Sequence, residues 1–295
     1  MDRVENEIAR IINEVGCQEV KRLFSSLSGG KRLRAKLILK IAPQSEQAPL
    51  LAAIVELIHA ASLLHDDVID DAQTRRGVTS VNATEGSKVA IMLGDVLYSK
   101  AFTELVSFDK EIAKIVSSSV TALSKGEMQD IALAKEFNSD EMLYLEMLYL
   151  KTATLIEAAA HASAHLAGKD IQKYALYGKN LGLSFQIIDD ILDITSDEET
   201  LGKPTMNDFV EGKCTLPYIY LYKALPDDEK HRLKLSHAKK ITKEEAEWIV
   251  EKMQEYKTIE KSFLLAKELS SDAMQAVADD SELISILETM IKRSY

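Results

Sequence analysis

At 295 residues, the chain is long for a single core, yet no Pro-, Gly- or Ser-rich linker divides it, so one domain over 1–295 is expected. Only 12 glycines and 5 prolines, against abundant Ala, Leu, Ile, Glu and Lys, favour an all-α protein. A net charge of -11 excludes nucleic acid as a partner, because binding a phosphate backbone needs a basic face.

Val4, Ile8, Ile11, Ile12 and Val15 recur at helical spacing, so an amphipathic helix opens the chain. Its charged start, Met1 to Glu5, lacks the apolar core of a signal peptide. A basic turn follows at Ser28-Gly29-Gly30-Lys31-Arg32-Leu33-Arg34, leading into Leu37-Ile38-Leu39. The helix from about Pro49 is apolar nearly all round and is predicted to be central. Because Glu56 and His59 interrupt its most apolar run, Ala48 to Leu64, no transmembrane segment is expected. It ends in Asp66-Asp67-Val68-Ile69-Asp70, followed by Thr74-Arg75-Arg76-Gly77. Lys88 to Val106, Ile112 to Ala134 and Asp140 to Leu166 read as further helices, the last with Lys151-Thr152 at its middle. Lys173 to Thr195 is the second central helix. It carries Phe185-Gln186 just before Asp189-Asp190-Ile191-Leu192-Asp193. Ser196 to Pro217, with Gly202, Pro204, Gly212 and Pro217, reads as a long functional loop. From Asp227 onward the helices are expected to be short, charged and amphipathic, and to lie at the periphery. Cys17 and Cys214 lie in unrelated contexts without metal-ligand spacing, which fits a reducing cytoplasm.

In each acid cluster the first and last aspartates are four apart and share one helix face. Burying such pairs is costly unless cations neutralise them, and the simplest cation is a metal. Carboxylates with room left for substrate oxygens suit Mg2+, whose shell phosphates complete. Either cluster alone could be a solvated surface face. Two of them, each after an apolar helix and beside basic or amide side chains, point to chemistry on a diphosphate. The Gly29-Gly30-Lys31 turn could be merely flexible, or a phosphate clamp in which Lys31 supplies a point charge and Arg34 a planar fork. Arg75-Arg76 could simply compensate the acids, or hold diphosphates. His65-Asp66 is a possible metal dyad of the kind found in helical phosphohydrolases, but His161, His165, His231 and His237 complete no obvious ligand set. His59, seven residues before Asp66, could instead donate to a phosphate.

Taken together, the basic turn, Glu56-x-x-His59, the run His65 to Gly77, Lys151-Thr152, Phe185 to Asp193, and Gly202-Lys203-Pro204 through Gly212-Lys213-Cys214-Thr215-Leu216-Pro217 resemble a trans-isoprenyl diphosphate synthase. The resemblance covers nearly the whole chain in the family's order. It implies an isoprenoid-synthase fold, with helices around a central apolar cavity. It also implies that Asp66, Asp70 and Asp189 ligate Mg2+, with Asp190 and Asp193 helping to hold the second cluster. Lys31, Arg34, His59 and Arg76 would bind isopentenyl diphosphate. Arg75, Lys151, Thr152, Gln186, Lys203 and Lys213 would bind the allylic diphosphate, with Asp190 at the same site. Arg75, Lys151 and Lys203, with the metal held by the aspartates, would share the departing pyrophosphate. A homodimer is expected from the family. Two positions depart from its pattern: Ala35 stands in place of a usual Pro, which is expected to matter little, and Met206 in place of a usual Gly.

Ser62 and Ala61 lie four and five residues before Asp66, roughly 6 to 7.5 Å back along the helix, where the growing tail would pass. Both are small, whereas short-chain members of the family carry a bulky aromatic there. The resemblance therefore favours a long-chain polyprenyl synthase, nominally octaprenyl, serving quinone side chains, with Ile58 one turn deeper as a narrowing of the tunnel. The alternatives are a short-chain farnesyl or geranylgeranyl synthase, a non-catalytic regulatory subunit, or a terpene cyclase. The cyclase would carry an Asn/Asp, Ser and Glu pattern instead of Asp189-Asp190-x-x-Asp193 and would not need the Lys31/Arg34 clamp.

Overall fold

A computed structural model describes the chain except residues 28–29, 76, 196–205 and 292–295. The described residues are overwhelmingly helical, as the composition predicts, with one two-stranded antiparallel ribbon, β1 (Thr74–Arg75) and β2 (Val78–Thr79). They divide into two compact units, 1–121 with 155–175, and 122–154 with 176–295.

The first unit is built on α1 (Asp2–Glu14), α2 (Gln18–Ser26), α3 (Leu33–Ile41) and α4 (Ala48–Ile69), followed by α5 (Val81–Glu85) and α6 (Ser87–Leu105). Val4, Ile8 and Ile11 on α1 and Leu37, Ile38 and Ile41 on α3 are buried. They meet α4, whose side chains are buried on most faces from Ala48 to Ile58. Removing each large aliphatic side chain from water contributes about 1.5–3 kcal/mol. Length and composition alone would let α4 cross a bilayer, Glu56 and His59 notwithstanding, but 67% of its most apolar window is buried inside the protein. It is the core helix of its unit, which accounts for its all-round apolarity.

Helix α7 (Lys110–Leu133) starts on a cap in which Asp109 accepts from the N–H groups of Glu111 and Ile112, at 2.9 Å each. This satisfies two of the donors that every helix start leaves open. The predicted helix 140–166 is interrupted. It comprises α8 (Glu141–Leu148), capped by Asp140, a π-helical segment at Tyr149–Ala153, and α9 (Thr154–Leu166). Two glycines admit the widened turn. A Cβ on Gly126 of α7 would lie 2.4 Å from the Lys151 nitrogen, and one on Gly182 would lie 2.5 Å from Ala153 Cα. Such π segments are frequent at functional sites, and this one carries Lys151 and Thr152.

Helix α10 (Ile171–Thr195) is followed, within the region read as loop, by the short α11 (Asn207–Val210) and by α12 (Leu216–Ala224). The remaining helices are α13 (Asp227–Ser236), α14 (Lys243–Glu255), α15 (Thr258–Ala276) and α16 (Ser281–Ile291). They are not peripheral as expected from their charge. Leu233, Ile249 and Met253 join Met206, Phe209, Tyr218 and Leu221 in one apolar cluster, and Tyr177 of α10 donates to the Leu283 carbonyl at 2.9 Å. The apolar stripe that their amphipathic pattern predicts is what joins this core. Met206 takes the left-handed φ of 58° that a glycine would adopt freely. A non-glycine pays about 1–2 kcal/mol there, which burial of the Met206 side chain in that cluster offsets.

Candidate active site

Helix α4 ends where Asp66 is half-buried, Asp67 buried and Asp70 exposed at the C-cap; on α10, Asp189 is exposed while Asp190 and Asp193 are buried. Neither helix has a basic residue in its last turn. Carboxylates there add to the negative end of the helix dipole, so both ends call for a cation from outside their own helix. The structure assigns the members of each cluster different work. Asp67 accepts from Arg75 Nε at 2.6 Å, and burial holds its carboxyl above its ordinary range despite that partner. Asp193 accepts from the Asp208 N–H at 3.1 Å, and its carbonyl accepts from Met206 N at 2.8 Å, which fixes the start of α11. Asp189 and Asp193 therefore do not act as one exposed pair. Asp66, Asp70 and Asp189 are the members of the two clusters that are not buried.

Within the second unit, Asp130, Tyr144, Lys151, Thr152, Gln186, Asp190, Asp208 and Lys213 line one recess of about 630 Å³, open mouth included. Lys151 Nζ lies 2.8 Å from Glu127 and 2.5 Å from Asp130. Burial opposes its charge, but these two carboxylates outweigh burial and hold its pKa above the ordinary value. Thr152 donates to Gln186 Oε1 at 3.2 Å, and Gln186 Nε2 donates to Asp190 Oδ1 at 2.9 Å. The other Asp190 oxygen accepts from the buried Tyr144 hydroxyl. Burial, aided by Asp190, pushes the Tyr144 phenol well up, so it keeps its proton and acts as donor. Asp190 is thus turned inward, with both carboxyl oxygens engaged within the unit. Lys213 Nζ meets Glu211 at 2.8 Å, and its N–H donates to the Asp208 carbonyl at 2.7 Å. Cys214 also lines the recess, with its thiol pushed up to about 12 by burial. It is not an activated nucleophile.

Within the first unit, the basic turn is organised by a residue whose role the sequence reading did not identify. Buried Glu56 accepts from the Ala35 N–H at 3.0 Å and pairs with Arg32 at 3.3 Å, while Arg32 also reaches Glu5 at 3.0 Å. Arg32 has a left-handed φ of 51°, and its ion pairs offset that strain. Arg32 is thereby committed to structure, leaving Lys31 exposed and Arg34 half-buried at the start of α3. The Ala35 N–H gives Glu56 a bond that a proline there could not supply. His59 is half-buried on α4. His65 packs toward α6, 3.2 Å from the Ile91 carbonyl and edge-on to Tyr98, where a Cβ on Gly94 would collide with its ring. Arg76 and Lys203 lie outside the described residues. Ile58 and Ala61 are fully buried and Ser62 is half-buried.

Tyr144, Glu127, Asp130 and Asp208 are absent from the sequence-derived site. The available signal was positional, since Tyr144 stands seven residues before Lys151 and so near the same helix face. Among the described residues, no three His, Cys, Asp or Glu side chains come close enough to hold a metal by themselves. Asp66, Asp70 and Asp189 offer the carboxylate oxygens that a hard cation such as Mg2+ takes, with phosphate and water completing its shell.

An all-helical scaffold that ends two helices in carboxylates, with lysines in a polar recess, defines a helical enzyme acting on anionic substrates. The chain matches the polyprenyl synthetase family over residues 17–256. It is 37% identical to the short chain isoprenyl diphosphate synthase of Methanothermobacter thermautotrophicus over 79% of this chain and 74% of that protein. The crystal structure of octaprenyl pyrophosphate synthase from Helicobacter pylori is 42% identical, covers 99% of this chain and 96% of its own, and superposes with a TM-score of 0.92. The polyprenyl synthase of Caulobacter crescentus, solved with calcium and isoprenyl diphosphate, is 28% identical over 100% of this chain and 98% of its own, with a TM-score of 0.87. This chain belongs to the polyprenyl synthetase family, and it has the all-α isoprenoid-synthase fold. It is a prenyl-transferring enzyme of isoprenoid biosynthesis.

Proposed function

We propose that the protein is a Mg2+-dependent prenyltransferase that adds isopentenyl diphosphate units head-to-tail to an allylic diphosphate, giving a long-chain all-trans polyprenyl diphosphate, nominally octaprenyl, for quinone side chains. The observation that carries this reading is that α4 and α10 each end in carboxylates with no basic residue in the last turn. Asp66, Asp70 and Asp189 would hold Mg2+. When bound, the metal neutralises negative charge on the allylic diphosphate and its leaving pyrophosphate. Lys151, Thr152, Gln186 and Lys213, together with Arg75 and Lys203, bind that diphosphate, with Asp190 fixing Gln186. Lys31, Arg34, His59 and Arg76 bind isopentenyl diphosphate. As the carbon–oxygen bond of the allylic substrate breaks and pyrophosphate leaves, the double bond of isopentenyl diphosphate attacks the allylic carbon, and a proton passes to the departing pyrophosphate to complete one condensation. The apolar side chains behind the acid ends keep water from that carbon. Ile58, Ala61 and Ser62 set how far the tail grows, and the small size of the last two supports the long-chain reading. The chain acts as one synthase domain over 1–295, as a cytoplasmic homodimer.

The relative named a short chain synthase supports a second reading, a farnesyl or geranylgeranyl product. Chromatography of the product made from isopentenyl diphosphate, an allylic primer and Mg2+ separates the two. Activity should vanish on chelation and return with Mg2+, and Asp66→Ala or Asp189→Ala should cut turnover by orders of magnitude in a folded protein. Undiminished turnover after chelation would sink the metal assignment.

A further inference from the structure

Lys213 owes its place to a short, crowded stretch of backbone. Gly212, immediately before it, takes a φ of +91°, and a Cβ there would lie 2.6 Å from the Ala134 carbonyl oxygen. No other residue fits that conformation and that gap. On its other side, the Gly212 carbonyl oxygen lies 2.7 Å from Nε2 of His237, which follows the last residue of α13. His237 is buried, and its ring stands edge-on to Phe137 at 5.5 Å and to Phe209 at 5.8 Å. A carbonyl can only accept, so Nε2 carries the proton and the buried imidazole donates. A second bond runs parallel to it, from the Ala238 N–H to the Phe209 carbonyl at 3.2 Å. With Lys213 N held by the Asp208 carbonyl, both polar groups of the Gly212–Lys213 peptide are engaged immediately before the residue that presents the lysine to the recess.

We propose that His237 is a positioning residue for the allylic diphosphate, acting through Gly212 to fix where Lys213 presents its ammonium. The inference rests on the assignment of Lys213 to that diphosphate above. A histidine serving only to fill the aromatic cluster would be replaceable by another ring. One that orients the turn is not, because loss of its N–H leaves a buried carbonyl unsatisfied and the turn free to shift. Lys213 lies far in sequence from the basic turn at Lys31 and Arg34, so the two substrates should respond differently.

The test compares the wild type with His237→Phe, His237→Gln, Lys213→Ala and the double variant His237→Phe/Lys213→Ala. Each is assayed for KM of the allylic diphosphate and of isopentenyl diphosphate, and for kcat. His237→Phe keeps a ring in the cluster and should raise the allylic KM about three- to tenfold, the range expected for one hydrogen bond. The isopentenyl diphosphate KM should be unchanged, and His237→Gln, which can still donate, should recover most of the loss. In the Lys213→Ala background His237→Phe should add little, as expected for two residues acting as a unit. If Phe prevents folding, His237→Met is used in its place and carries the same expectation. An active wild type whose allylic KM rises with Lys213→Ala but not with His237→Phe overturns the inference alone. Equal rises in both KM values, or a His237→Phe effect undiminished in the Lys213→Ala background, overturn it as well. A wild type that elongates no allylic diphosphate overturns the synthase reading and this inference together.

Discussion

The hydroxyl of Tyr144 donates to one carboxylate oxygen of Asp190 while Gln186 donates to the other, 2.9 Å away. Both oxygens of a buried carboxylate are thereby used, and Gln186 is aligned to receive Thr152. Tyr144→Phe removes one donor without changing ring volume and leaves a buried acceptor unpaired, which costs about 1–3 kcal/mol. The variant should unfold roughly several degrees earlier and lose about tenfold in kcat/KM for the allylic diphosphate, measured by scanning calorimetry and initial rates. Unchanged thermal midpoint and rates would show that Gln186 alone holds Asp190.

Glu56 ties α4 to the start of α3 through the Ala35 N–H and Arg32. Ala35→Pro deletes the donor and disfavours helical backbone at Arg34, so both stability and the clamp suffer. Glu56→Gln keeps an acceptor for Ala35 but gives up the ion pair with Arg32. We expect the proline variant to cost about 1–3 kcal/mol and to raise the KM of isopentenyl diphosphate, with the allylic KM unmoved. The glutamine variant should show the same substrate bias in weaker form. Steady-state titration of each substrate decides, and equal losses for both would mean that the turn does not serve one substrate in particular.

The sequence makes legible those features that depend on local pattern. The all-round apolarity of α4, the acid ends of α4 and α10, and the Lys151-Thr152 pair all stand within single stretches of chain. What escapes it depends on tertiary partners. Tyr144 acquires its role from Asp190, Glu56 from Ala35 and Arg32, and His237 from Gly212, all outside any one helix window. The π segment is equally hidden, because Gly126 and Gly182 admit it from other helices. Local charge also misleads, since the helices after Asp227 read as peripheral while Leu233, Ile249 and Met253 are core residues.

His161, half-buried on α9, has its pKa lowered by burial and by His165, against the opposing pull of Glu157 and Glu111. A base whose folded pKa is depressed stays neutral in the fold while the unfolded chain takes up a proton. Stability is therefore complete above the unfolded value of about 6.5 and declines as pH falls toward the lower folded value. The thermal midpoint should drop between pH 7 and pH 5.5, and His161→Gln should flatten that segment of the profile. An equal slope in wild type and variant would place the pH sensitivity elsewhere.

Ala61 is fully buried on α4, five residues before Asp66, and Ser62, four before it, is half-buried. On a helix Ser62 lies nearer the face of Asp66 and Asp70 than Ala61 does. The two positions therefore test different paths for the tail. If space beside Ala61 receives the growing chain, Ala61→Tyr places its ring in that space, the fold tolerates it, and product shortens toward farnesyl or geranylgeranyl length. If Ala61 is instead packed against neighbouring helices, the same ring overpacks the core at a cost of about 1–3 kcal/mol, so the thermal midpoint falls while product length stays the same. Ser62→Phe should shorten product in the second case, since its side chain follows the metal end of the helix. Product chromatography at matched turnover, read beside the thermal midpoint of each variant, distinguishes the two. Unchanged long product from both folded variants would remove α4 from chain-length control.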